Sequence, residues 1–107
     1  LEAYPSLKGR LHLLGKRTDL PYLTSAFDVA TNTGLNEGLC NALGEALCCG
    51  VMCVATDSGD SAVLVGDSGL IIPKGDAQAL AKAWQEVLSY SPDVKRVLCA
   101  HGRARME

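Results

Sequence analysis

Val51-Met52-Cys53-Val54-Ala55 is an unbroken apolar run, bounded by Gly50 and by Thr56-Asp57. A strand with one wet face alternates apolar and polar residues, whereas a strand without alternation is buried on both faces. Burial on both faces needs a helical layer above and below, which points to a parallel sheet. The rest of the chain supplies the parts. Leu11 to Leu14 (closed by Gly15), Asp28 to Thr31 and Gly69 to Pro73 read as further strands. Leu20 to Ala26 has room for two helical turns, with Asp19 as N-cap before Pro21. Asn41 to Cys49 favours helix, with Gly50 as its stop. Ala62 to Val65 forms one short turn. Asp76 caps a helix in which Ala79, Leu80, Ala83, Trp84, Val87 and Leu88 recur at helical spacing, placing Trp84 in the core. Ser91-Pro92-Asp93 opens a last helix. Strands alternating with helices predict an α/β fold, a mostly parallel sheet with flanking helices.

At 107 residues the chain allows one domain. Ten Lys plus Arg face twelve Asp plus Glu, a formal net charge of −2. With no basic stripe, this excludes a protein that grips nucleic acid through many phosphates. No apolar run approaches the ~20 residues of a membrane span, and no charged start with an apolar stretch marks a signal peptide. The expected compartment is the cytoplasm, free or peripheral to the inner membrane face in a longer protein.

Five cysteines, Cys40, Cys48, Cys49, Cys53 and Cys99, invite a metal-site reading because four fall close together. The spacing contains no C-x-x-C pair, and His12 and His101 are distant in sequence. The cysteines therefore read as small apolar core residues, with no metal site.

Glu37-Gly38-Leu39-Cys40-Asn41-Ala42-Leu43-Gly44-Glu45, continuing through Gly50 to Thr56-Asp57, is more specific than this pattern. It resembles the E-x7-E signature of family 4 glycosyltransferases, S-x-x-E-G-x-P-N-x-x-x-E-A-M-A-x-G-x-P-V-V-A-T-D. Ser58-Gly59-Asp60-Ser61-Ala62, Val65-Gly66-Asp67-Ser68-Gly69 and Ile72-Pro73-Lys74-Gly75-Asp76 resemble the family's following loops. Upstream, Leu13-Leu14-Gly15-Lys16-Arg17-Thr18-Asp19-Leu20 resembles F-L-G-x-R-x-D-V. The segments come in the family's order over residues 11 to about 90. Cys40 and Met52 stand where the family pattern has proline, and Thr33-Gly34 where it has Pro-Ser.

The resemblance implies two Rossmann-like domains, the GT-B fold, with residues 1–107 as part of the C-terminal nucleotide-sugar-binding domain. It implies transfer of a sugar from a nucleoside-diphosphate sugar to an acceptor, with retention, without a metal or other cofactor. Glu45 matches the glutamate that holds the ribose diol, a task suited to a carboxylate accepting from two hydroxyls. Glu37 matches the residue that contacts the transferred sugar and favours charge at the anomeric centre. Gly38, Leu39, Cys40 and Asn41 would offer backbone N–H groups to the diphosphate at a helix start. The family's phosphate-neutralising Arg and Lys lie upstream of Leu11, and its acceptor domain is a missing partner. The chain by itself is therefore expected to be inactive. The family's strand order, 3-2-1-4-5-6, gives this chain strands 3, 4, 5 and 6. Either Leu11 to Leu14 pairs beside Val29-Ala30, or an apolar edge stays open to a second copy.

Without the resemblance, Glu37 and Glu45 read as a loop carboxylate and a helix-surface carboxylate. Gly50, Gly59 and Gly69 read as turn-formers, and Lys16 and Arg17 as a solvated strand end. Two further functions compete with the enzyme: a stand-alone nucleotide-binding module and an interaction or scaffold domain.

Overall fold

The computed structural model describes residues 5–15, 18–33, 41–57 and 61–106. Three strands, β1 (Val29–Asn32), β2 (Met52–Thr56) and β3 (Leu70–Ile72), pair in that order and are parallel throughout. Val29 stands opposite Met52, and Val54 opposite Leu70. α1 (Leu20–Ser25) precedes the sheet, α2 (Asn41–Cys48) lies between β1 and β2, and α3 (Ser61–Val65) between β2 and β3. α4 (Ala77–Ser89) and α5 (Pro92–Arg105) follow. This is the α/β arrangement the apolar run demands: β2 is the central strand, and all five of its residues are buried.

Side chains alternate across the sheet, and the core divides accordingly. Ala30, Cys53, Ala55 and Ile71 face α2 and α3, where they meet Leu43, Ala46, Leu47 and Val65. Val29, Met52, Val54, Leu70 and Ile72 face the other way, onto Ala83 and Val87 of α4 and Leu98 and Cys99 of α5. α5 then crosses to the α2 side. Gly102 abuts Leu47 and Ser68, and the Arg103 guanidinium lies against Gly50. Since Gly50 and Ser68 each stand two residues before β2 and β3, α5 closes the amino end of the sheet. Gly69 serves space more than turning: a Cβ there would overlap the Cys53 carbonyl, so β3 can enter close beside β2 only without a side chain.

Most local signals act as expected. The Asp76 carboxylate accepts the Ala79 N–H at 2.9 Å, and the Ser91 hydroxyl accepts the Val94 N–H at 3.2 Å. Gly50 has φ +72° and ends α2.

Three expectations are corrected. Leu11 to Leu14 is not a strand; it has no ladder neighbour, and Leu13 is 89% exposed. Apolar character favours burial, but a strand also needs a partner for its N–H and C=O groups, and β1 does not supply one here. Asp19 does stand at the N-cap of α1 with Pro21 in the first turn, but it makes no side-chain capping bond, because its ψ of 29° lies outside the extended region a cap requires. Trp84 is 41% exposed, not core; its indole N–H donates to the Thr31 hydroxyl at 2.8 Å across the outer side of β1. An indole N–H needs an acceptor, and the strand edge offers one. Among the described residues, no helix is long and apolar enough to cross a membrane.

Candidate functional site

In a parallel sheet every strand delivers its carboxyl end to the same side, and ligands of such sheets bind there. On that side β1 ends at Asn32 and runs into Thr33, β2 ends at Thr56, and β3 ends at Ile72 before Pro73. A cavity of about 360 Å³ opens between them, bordered by Thr33, Thr56, Pro73, Asp76 and Leu80. Asp57 N–H donates to the Ile72 carbonyl at 2.9 Å, tying β2 to β3 at this mouth.

Three helix starts also face this end, since α2, α3 and α4 each run back against the strands. They differ electrically. At α4 the Asp76 carboxylate already accepts an N–H of the first turn, answering the positive end of the helix dipole. α2 has no acidic residue in its first turn. α3 has none either, but it is only five residues long; α2 is the longer helix whose start lacks an acid of its own, a setting that favours an anion.

Of the residues singled out by sequence, Glu37, Gly38, Leu39 and Cys40 lie outside the described residues. Asn41 opens α2, and Glu45 stands four residues, about one turn, further on. The Glu45 side chain is exposed while Leu43, Ala46 and Leu47 on the inner face are buried. The helix thus buries its apolar stripe on the sheet and leaves the carboxylate outward. Gly59 also lies outside the described residues.

The cysteines divide. Cys53 is fully buried, its thiol donating to the Val51 carbonyl at 3.4 Å. Cys49 and Cys99 are half-buried, and burial pushes the Cys99 thiol up against the opposing pull of Lys95 and Arg103. Cys48 is exposed, contrary to the core reading, because it falls on the outer face of α2 with Glu45. Cys40 lies outside the described residues. Among the described residues no group of three or more His, Cys, Asp or Glu is placed to hold a metal ion.

Sequence reasoning missed the hydroxyls of Thr33 and Thr56. Each is the polar residue at or just after a strand's end, a position signal without a motif. It also missed Arg103, whose Nε–H donates to the Cys48 carbonyl at 3.2 Å from the far end of the chain.

The family model described as glycosyl transferases group 1 matches residues 1–90. Among solved structures, sucrose-phosphate synthase from Thermosynechococcus elongatus superposes with a TM-score of 0.89 at 30% identity. That match covers 98% of this chain and 27% of the synthase. Anabaena HepE in complex with UDP gives 0.88 at 25% identity, covering 97% of this chain and 29% of HepE. HepE in complex with UDP-glucose gives 0.85 at 24%, covering 98% and 31%, a likeness of fold. No curated protein matches the chain. The chain therefore spans about 27 to 31% of the length of these solved relatives, and its sheet and helices match a piece of the GT-B glycosyltransferase fold.

Proposed function

Because the chain belongs to the group 1 glycosyl transferases, we propose that it forms the donor-binding part of a retaining glycosyltransferase acting on a nucleoside-diphosphate sugar. The observation that carries this reading is the outer face of α2. Its start has no acid of its own in the first turn, and Glu45 projects into solvent one turn later. Anabaena HepE, alike over 97% of this chain, is a complex with UDP, so uridine nucleotides are the first donors to try.

In this reading the diphosphate lies at the start of α2, against N–H groups of Gly38, Leu39, Cys40 and Asn41, where the helix dipole favours negative charge. Glu45 accepts from the two ribose hydroxyls, a charge-assisted pair of bonds. Glu37 contacts the transferred sugar and favours the positive charge that develops at its anomeric carbon as the bond to the diphosphate breaks. The donor sugar is the substrate, and no metal or other cofactor is assigned. Turnover also requires cations at the leaving diphosphate and a cleft closed against an acceptor domain. For that reason the 107-residue chain is expected to bind without catalysing transfer. Its setting is the cytoplasm, where nucleotide sugars are consumed.

Titration with UDP, followed by backbone amide shifts, tests the reading. One charge-assisted contact and one helix start should give a Kd of roughly high-micromolar to millimolar size. The amides of residues 38–41 should move. Glu45→Gln should weaken binding by about 1–2 kcal/mol, the scale of a hydrogen bond to a charged group. A 2′,3′-dideoxy nucleotide should lose as much with the unaltered chain and little more with the variant. If shifts cluster elsewhere, or Glu45→Gln binds as well as the original, the donor site is misplaced and a scaffold role takes its place.

A further inference from the structure

The last four carbonyls of a helix have no partner within it, and in α2 each of the four is met differently. Cys49 N–H donates to Glu45 O, Val51 N–H to Ala46 O, and Gly50 N–H to Leu47 O, all at 3.0 Å. The Val51 and Gly50 bonds, with Gly50 at φ +72°, form a Schellman closure. The fourth carbonyl, Cys48 O, lies beyond the reach of that local closure. It is met by Arg103 Nε–H at 3.2 Å, from a residue fifty-five positions away on α5.

The contact is one of four along the same line. The Arg103 guanidinium covers Gly50 so closely that a Cβ there would stand 3.2 Å from Nη2. One residue earlier, Gly102 lets Leu47 approach until its Cδ2 would stand 2.9 Å from an added Cβ. One turn later, Met106 Cε lies where a Cβ on Gly44 would meet it at 3.2 Å. Residues 102, 103 and 106 thus engage α2 at 44, 47 and 48 and its stop at Gly50, from just above Glu45 to the end of the helix. The guanidinium also sits at the negative end of the α2 dipole, where a cation is favoured.

We propose that Arg103 is a positioning residue for the donor site: it fixes the axial position and tilt of α2, and so where the start of the helix and Glu45 stand relative to the strand ends. This rests on the donor-binding reading for its consequence in affinity, but not for its geometry. Asn41 and Cys48 are seven residues apart, about 10 Å of helix rise, so Arg103 acts on a donor at the start of α2 through the helix and not by touching it. A rigid helix transmits a shift at one end to the other, and a small misplacement of a binding group weakens an oriented contact.

The experiment compares the original 107-residue chain with Arg103→Met, Arg103→Lys and Met106→Ala. Residual dipolar couplings are measured for amides of α2 (41–48) and of β2 (52–56) without ligand, and UDP is then titrated. Arg103→Met should rotate the α2 couplings relative to those of β2, which stay together as a set. It should also raise the UDP Kd by about threefold to tenfold, the size of one lost orienting hydrogen bond. Arg103→Lys keeps a cation donor and should restore most of both signals. Met106→Ala should tilt α2 less, through the Gly44 contact alone. A chain destabilised in general would lose folded signal without a selective rotation of α2. Unchanged α2 couplings in Arg103→Met, or an unchanged UDP Kd despite rotated couplings, overturn the proposal. Should the original chain fail to bind UDP, the donor reading fails, while the couplings alone still decide whether Arg103 sets α2.

Discussion

At the amino end of the sheet α5 lies across the entries to β2 and β3, with Gly102 against Leu47 and Ser68 and Arg103 over Gly50. At the carboxyl end Thr33, Thr56 and Pro73 border a cavity of about 360 Å³, and Glu45 faces solvent. The first end is assembled largely from glycine notches and apolar side chains; the second from threonine hydroxyls and a proline beside helix starts. The difference teaches where each kind of substitution should act. Changes at the amino end should cost stability and reach a ligand only by displacing α2, whereas changes on the outer face of α2 should cost affinity and leave the fold alone.

The strongest challenge to that division is Leu47→Ala. Leu47 is 1% exposed and lies between the sheet and Gly102, so truncation should cost about 3 kcal/mol, as a cavity in a packed core does. Urea unfolding would show it as a fall in midpoint at constant slope. A loss below about 1 kcal/mol would mean that the α2–α5 junction collapses easily and is no rigid seat.

Trp84→Phe probes the side of β1 that carries no strand. It deletes the indole donation to Thr31 while keeping an aromatic ring beside Phe27 and Leu88. The bond is exposed to water, so the cost should be about 0.5–1 kcal/mol, again from urea midpoints. A larger loss would show that this groove belongs to the stability-bearing part of the molecule, shifting the boundary drawn above.

The finest test is thiol chemistry. Of the four described cysteines, alkylation followed by peptide mass analysis should label Cys48 first, Cys49 and Cys99 more slowly, and Cys53 last, following their exposure. Burial raises the Cys99 thiol, so above the ordinary thiol range of about 8.5 the unfolded chain releases this proton first. In that window the folded state holds more protons than the unfolded state, and stability falls as pH rises. A Cys99→Ser variant should flatten this part of the pH–stability curve. Early labelling of Cys53 would contradict the buried central strand.

Local signals in the chain were legible, and long-range ones were not. Val51 to Ala55 announced a doubly buried strand because continuity of apolar residues is itself the consequence of burial on both faces. Asp76, Ser91 and Gly50 marked helix ends because capping is settled within three or four residues. Leu11 to Leu14 misled for the opposite reason: its composition suits a strand, but pairing depends on a neighbour that composition does not contain. The same holds for Trp84, whose partner Thr31 is fifty-three residues away, and for Arg103 and Cys48. Within the site, the helix that carries Asn41 and Glu45 was readable, with Gly50 as its stop. Thr33 and Thr56 were not, because a threonine at a strand's end carries no pattern apart from the sheet that ends there.

The alternation of β2 has a consequence for how this domain can change. Its α2-facing positions are Cys53 and Ala55, opposite Ala30, while its α4-facing positions are Met52 and Val54, beside Val29 and Ile72. Over β1 and β2 one layer is cut for small side chains and the other for large ones, so this part of the sheet is a slab with a fine and a coarse side. A single-residue insertion or deletion within β2 would turn the slab over. Methionine and valine would be driven under α2, and voids would open under α4. A change of length is therefore barred from β2 and left to the connecting loops, those at the strands' carboxyl ends, which would shape a ligand's surroundings, among them.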